Sequence, residues 1–273
     1  MNGTLLPSGT SSSHASRRVR RLLREALALS YARGYAVGLC SDSPLEQLGE
    51  FGERVGLGAA STFPVVAENG NIVSFDGAVR LMTPFPASGA VRGIVGDVAA
   101  AHGAERLKDT SSPEFGGTPV SHRTWAFGAN RRASVSVFAP PPLITEAART
   151  LAGWARDHGV ELGLDRSARH GFLGVHPYTP WHSGKRRTLE VLAREGHRLL
   201  MVGDSLADWV PAGRGVRCAF VANAAIPEPV RASAWFVSSR PGPDGVVDVL
   251  RRAATAPHRP PRLPKAAPPA PKE

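Results

Sequence analysis

Apolar positions recur at helical spacing at the start of the chain and then collect into short unbroken runs. Val19, Leu22, Leu23 and Ala26 share one side of the basic stretch from Arg17 to Arg33, which predicts an amphipathic helix ended by Gly34. Tyr35 to Cys40 is a continuous apolar run, the pattern of a strand buried on both faces. Ser41-Asp42-Ser43-Pro44 then turns into a second helix over Leu45 to Val55, with Pro44 at a natural first-turn position. Thr62 to Ala67 reads as a strand, and Glu68-Asn69-Gly70-Asn71 as a hairpin turn. Ile72 to Phe75 and Val79 to Met82 read as returning strands joined at Asp76-Gly77.

The rhythm changes after Thr83. Ser88 to His102 is helical, Lys108 to Pro119 is a loop, and Ser121 to Phe127 alternates with Ser134 to Phe138 like a hairpin. Pro140 to Pro142 leads into a helix through His158, and two strands follow at Val160 to Leu164 and Gly171 to His176. This is an α+β module set inside an α/β pattern. It predicts a core over 1–83 and 181–253, an inserted domain over 84–180, and a Pro- and Ala-rich basic tail over 254–273 that cannot bury a core. In the second core part, Lys185 to Glu195 is a helix, and Leu199 to Val202, Cys218 to Val221 and Trp235 to Val237 are strands. Gly245 to Ala253 closes the pattern, with Asp244 placed to cap it.

The totals narrow the function. With 42% hydrophobic and 21% charged among 273 residues, the chain can bury a core. No apolar run approaches the roughly 20 residues needed to cross a bilayer, and the N-terminus has no signal-peptide core, so the cytoplasm is expected. Cys40 and Cys218 sit in apolar runs and read as buried small hydrophobes in a reducing compartment. A net charge of +10 raises nucleic acid as a partner, but no zinc-finger spacing, RNA-recognition aromatics or helix-turn-helix pattern accompanies it. Attraction of an anionic small substrate suits the charge better.

Chemistry concentrates at strand ends of the α/β half. Arg198 to Trp209, RLLMVGDSLADW, runs from an apolar strand through Gly203 to Asp204 and Asp208. If Ala207 to Trp209 begin a helix, the two carboxylates come side by side and invite Mg²⁺, although an Asp here also serves as a helix cap. Asn2-Gly3-Thr4, Ser41-Asp42-Ser43 and Lys185 complete the set. A hydroxyl with neighbouring N–H groups holds phosphoryl oxygens, Lys neutralises them, and paired Asp hold the metal.

In this order the residues resemble the haloacid dehalogenase-like (HAD) phosphatases, in the branch of archaeal-type phosphoglycolate phosphatases and related sugar-phosphate phosphatases. Met1-Asn2-Gly3-Thr4-Leu5 echoes the family's first motif, Ser41 the second, and Lys185 the third. Gly203-Asp204-Ser205 with Asp208 matches the fourth, while Glu68-Asn69-Gly70 and Ala222-Asn223-Ala224 match turns after two strands. The likeness runs from Met1 to about Ala253. It implies a Rossmann-like core with a parallel sheet plus an inserted α/β cap domain, and hydrolysis of a small phosphorylated metabolite of phosphoglycolate or sugar-phosphate type. It further implies Asn2, Ser41, Lys185 and Asp204 as catalytic positions, and Mg²⁺ held at Asn2, Asp204 and Asp208. Gly3, Thr4, Asp42 and Asn223 would line the substrate, with Arg123 and His176 or His182 offered by the cap region. Trp125 and Trp181 read as packing residues.

Two departures stand out. The family's nucleophilic Asp would stand one position before Met1, and its second Asp is Asn2, whose amide cannot exchange a proton as a carboxyl does. Without the strand that carries the first motif, the strands of Cys40 and Val202 would face a gap, at a cost of about 1–3 kcal/mol per unpaired backbone group. The expectation is therefore an upstream apolar strand ending in Asp, and slow turnover. The alternatives are a catalytically impaired HAD-like protein that binds a ligand or partner, and a nucleic-acid-associated protein using the basic surface.

Overall fold

The computed structural model describes residues 4–5, 13–59, 61–110, 123–167, 171–177 and 184–256. The first part runs α1 (Ser13–Ala32), β1 (Leu39–Cys40), α2 (Leu45–Val55), β2 (Val65–Ala67), β3 (Ile72–Phe75) and β4 (Ala78–Leu81). The middle part runs α3 (Ser88–Ala101), β5 (Glu105–Arg106), β6 (Thr124–Phe127), β7 (Val135–Phe138), α4 (Pro141–Asp157), β8 (Gly163–Ser167) and β9 (Phe172–His176). The last part is α5 (Gly184–Arg194), β10 (Leu199–Ser205), β11 (Val216–Ala225), α6 (Glu228–Ser233), β12 (Phe236–Val237) and α7 (Gly242–Thr255).

The apolar stripe of α1 is buried at Val19, Leu23, Ala26 and Leu27 and packs against α2 and α7. Beneath it, β1 pairs in parallel with β2, which continues antiparallel through β3 and β4. The strand expected from Tyr35 is only two residues long. Leu39 N donates to Pro64 O at 2.9 Å, and Pro64 has no N–H to extend the ladder backward. On the other side, β10, β11 and β12 form a parallel sheet. The described sheets therefore end on β1 and β10, each pairing on one side only. A cavity of about 1240 Å³ lies along them, lined by Leu39, Cys40, Met201, Val202, Leu27 and Val246 among others, with Thr4 and Leu5 also on its wall.

The middle part is a five-stranded sheet in the order β5-β6-β7-β9-β8. Side chains alternate across it. Trp125, Phe127, Val135, Val137, Leu173 and Val175 pack with Val91, Val95, Leu143 and Leu151 of α3 and α4 in a core of their own. The opposite face carries Ser134, Ser136, Gly174 and His176 together with Ala126, Phe138 and Phe172.

Several expectations change. Ala207 to Trp209 do not start an α-helix: Leu206–Asp208 is one 3₁₀ turn, because β10 continues through Ser205 and carries Asp204 inside it. Asp244 lies within the first turn of α7, which begins earlier, with Pro241 at its N-cap. The hairpin expected at Glu68–Gly70 does form, as a 3₁₀ turn between the antiparallel β2 and β3. β5 and α6 were not foreseen, being two and six residues long and without a periodic apolar pattern. Among the described residues no helix is long and apolar enough to cross a membrane.

Candidate functional site

The end of β10 is built around Gly203. A Cβ there would overlap the Asp208 side chain, so only glycine lets the turn fold Asp208 back against the strand. Asp208 Oδ2 then accepts from Asp204 N at 3.2 Å and Ser205 Oγ at 3.0 Å, while Oδ1 accepts from Lys185 Nζ at 3.0 Å. Burial opposes both charges. The pair outweighs it: the Lys185 ammonium is held above its ordinary range by Asp208, and the Asp208 carboxyl below its own by Lys185 and these donors. Asp204 Oδ1 accepts from Thr4 Oγ1 at 2.7 Å.

Lys185 reaches this point because of the turn after β2. Gly70 has φ +93, and a Cβ on it would overlap the backbone of Gly184 and Lys185. The start of α5 thus seats directly on the turn, and Thr188 Oγ1 donates to Gly70 O at 2.5 Å. Ser41, at the carboxyl end of β1, is buried, and its N donates to Val66 O at 2.9 Å. Its Oγ donates to Asp42 Oδ1 at 3.1 Å and accepts from Ser43 N at 3.3 Å. Ser41, Asp42, Lys185, Asp204, Ser205, Asp208 and Thr4 all line the cavity described above.

The middle part meets the core beside this mouth through the loop between β6 and β7. Glu68 is fully buried and accepts from Arg132 N at 2.8 Å, Ala133 N at 2.9 Å and Ser134 Oγ at 2.7 Å. Arg131 Nη1 donates to Asp42 O at 2.5 Å and Ser134 Oγ at 3.2 Å, and Arg132 pairs with Glu46. Glu68→Ala strips three donors of their acceptor and is expected to cost about 3 kcal/mol or more. A denaturant midpoint that stays within error of the parent would contradict that role.

Asp42 sits below the ordinary carboxyl range: burial opposes this, but Arg131 and Lys185 prevail. His176 is held down to about 4, first by burial and then by Arg131 and Lys185, with Asp42 pulling the other way. The unfolded imidazole titrates near 6.5. The unfolded chain therefore takes up a proton that the folded protein refuses. Stability is full above about pH 6.5 and falls as pH drops toward 4, by on the order of 3 kcal/mol for the whole shift. Asp42 and Asp208 add their losses only below their ordinary range near 4. Asp165, raised by burial and Asp42, acts in the opposite sense. Urea titrations at pH 7 and 4.5 check this, and His176→Gln should flatten the difference.

Asn2, Gly3 and His182, and also Trp181, lie outside the described residues. Asn223 is exposed and its Oδ1 accepts from Gly242 N at 2.9 Å, at the start of α7. Arg123 is exposed just before β6, two positions from Trp125 and at the far end of that strand from the loop that meets the core. Arg131 is the guanidinium that reaches the core instead. It and Glu68 were missed as site residues; the signals were Arg131-Arg132 between two alternating strands and an acidic turn after β2. Trp125 packs edge-on against Phe127 at 4.8 Å.

Both Asp208 oxygens are engaged with Lys185, Ser205 and the β10 backbone, so Asp204 is the carboxylate left to meet a cation. No group of three or more His, Cys, Asp and Glu side chains able to hold a metal occurs among the described residues. One carboxylate with substrate oxygens and water is nonetheless the donor set Mg²⁺ accepts, so the residues fit that ion.

No protein-family model matches the sequence, and no curated protein matches it. Solved structures do match. A haloacid dehalogenase-like hydrolase from Bacteroides thetaiotaomicron is similar at 16% identity and TM-score 0.62, over 92% of this chain and 96% of that one. A protein of Thermotoga maritima is similar at 18% and 0.60, over 92% and 94%. Trehalose-6-phosphate phosphatase from Aspergillus fumigatus is similar at 15% and 0.51, over 92% and 89%. An α/β core interrupted by a separate five-stranded domain, matched along nearly its whole length by such neighbours, has the fold of the haloacid dehalogenase-like hydrolases.

Proposed function

We propose that the protein is a Mg²⁺-dependent phosphatase hydrolysing a phosphomonoester of a small metabolite. The observation that carries this reading is the convergence of Ser41, Lys185 and Asp204 on one cavity mouth at the carboxyl ends of two parallel strands, where open α/β sheets bind ligands. A phosphatase among the structural neighbours, which bears a phosphorylated sugar in its name, supports it. Lys185 neutralises a phosphoryl oxygen, Ser41 Oγ turns from Asp42 to donate to another, and Asp204 holds the cation. Mg²⁺, when bound, offsets charge on the phosphoryl group. Asp208 keeps Lys185 in place and charged.

The nucleophile in this reading is an aspartate presented to the same cavity mouth. Its carboxylate attacks phosphorus, the alkoxide leaves and takes a proton, and water then cleaves the acyl phosphate to phosphate and the free carboxylate. Asn2 cannot supply the leaving group's proton, so turnover is slow. Ser41→Ala is expected to lower kcat/KM for p-nitrophenyl phosphate about 10²-fold, as loss of one preorganised donor does. An unchanged value would remove Ser41 from the site. The same Asn2 supports a second reading, a silent HAD-like binding protein. Tight inorganic phosphate binding without turnover in the presence of Mg²⁺ would favour it.

A further inference from the structure

The outer face of α1 carries charge that the fold does not use. Val19, Leu23, Ala26 and Leu27 turn inward, and Leu23 and Leu27 reach the cavity. Arg17, Arg20, Arg21 and Arg24 are exposed on the other side, so the expected attraction of a small anionic substrate into the cavity does not explain them. None of the four makes an ion pair among the described residues. Glu25 is taken by Arg251 at 3.0 Å, and Arg18 lies 3.9 Å from Asp244. Stability alone would choose otherwise. Arg17 and Arg24 each stand three or four residues from both Arg20 and Arg21, and like charges at that spacing repel along a helix. The first turn holds no acidic residue to offset them.

The pattern fits a row of phosphates. Arg17, Arg21, Arg24 and Tyr31 stand at i, i+4, i+7 and i+14, which places them in one stripe along the helix. The step from Arg17 to Arg24 is about 10.5 Å along the axis. A stacked nucleic-acid strand advances about 3.4 Å per phosphate, so the step spans about three of them. The exposed cations are all arginines, whose planar forks meet phosphate oxygens in two-point contacts and stack on flat rings. Tyr31, 43% exposed, extends the stripe with an aromatic face on which an unpaired base can stack. A bilayer fits less well. A helix lying in a membrane surface buries a free apolar face there, and the apolar face of α1 is already packed against α2 and α7.

We propose that the outer face of α1 is a docking surface for single-stranded nucleic acid, with Arg17, Arg20, Arg21 and Arg24 on its phosphates and Tyr31 against a base. The test is fluorescence anisotropy of a labelled oligothymidylate of about 20 nucleotides, titrated with the full chain at several salt concentrations. The expected result is a Kd of about 10⁻⁶ M at about 50 mM salt, with log K falling against log salt at a slope of about −3, four phosphates at about 0.7 each. Arg17→Ala with Arg21→Ala brings the slope to about −1.4. Alanine favours helix at these exposed positions, so the variant keeps α1. Arg156→Ala with Arg166→Ala removes the same charge from the exposed surface of the middle part and leaves the slope as it was. Tyr31→Ala weakens binding about tenfold at an unchanged slope. No binding at about 50 mM salt, an equal loss in the two double variants, an affinity indifferent to Tyr31→Ala, or tighter binding to phosphatidylserine vesicles than to the oligonucleotide overturns the proposal.

Discussion

Replacing Lys185 by Met is expected to remove about 3–5 kcal/mol of stability and to cut phosphomonoester hydrolysis by about a thousandfold or more. The two losses share one cause. Lys185 and Asp208 have side chains 13% and 7% exposed, and each holds the other's charge in place. Removing the ammonium leaves a buried carboxylate with only Ser205 Oγ and the Asp204 N–H to offset it. Adding Asp208→Asn removes that charge, so the double variant is expected to regain much of the stability and none of the activity. Urea unfolding and p-nitrophenyl phosphate assays on the four proteins complete the cycle. Equal stability of Lys185→Met and the parent would mean that the pair does not matter to the fold.

An apolar strand ending in Asp and joined ahead of Met1 is expected to raise stability by several kcal/mol, because it would pair on both sides and fill the slot with side chains. The described ladders leave the inner edges of β1 and β10 without a strand partner, and the cavity along them is about 1240 Å³. Hydrogen exchange at Leu39, Cys40 and Leu199 to Val202 would slow in the extended protein. No gain in midpoint and no added protection would contradict a strand slot and favour direct contact between the two half-sheets.

Much of this was legible in the sequence because period and punctuation agreed. Leu45 to Val55, bounded by Pro44 and Gly56, and Ile72 to Phe75, bounded by Asn71 and Asp76, form the expected elements over the expected residues. Ser41, Lys185 and Asp204 could be singled out because each follows an apolar run or begins a helix. What escaped depends on contacts distant in sequence. Pro64 shortens β1 from a neighbouring strand. Glu68 reads as a turn residue until its carboxylate meets the amides of Arg132 and Ala133. Arg131 and Arg123 are both arginines near alternating strands, and only the fold shows which end of β6 meets the core. Asp208 reads as a metal ligand, and only the fold shows that Gly203 lets it turn back toward Lys185 and the strand.

The proposed reaction is phosphoryl transfer at this cavity mouth with the help of Mg²⁺ at Asp204. Hydrolysis of p-nitrophenyl phosphate by the protein, followed with Mg²⁺, after chelation and in Asp204→Ala, is the decisive measurement. Release that needs Mg²⁺, stops on chelation, returns when the ion is restored and is absent from Asp204→Ala is the predicted result. Release that persists without the ion or in Asp204→Ala would contradict a Mg²⁺-dependent site at Asp204.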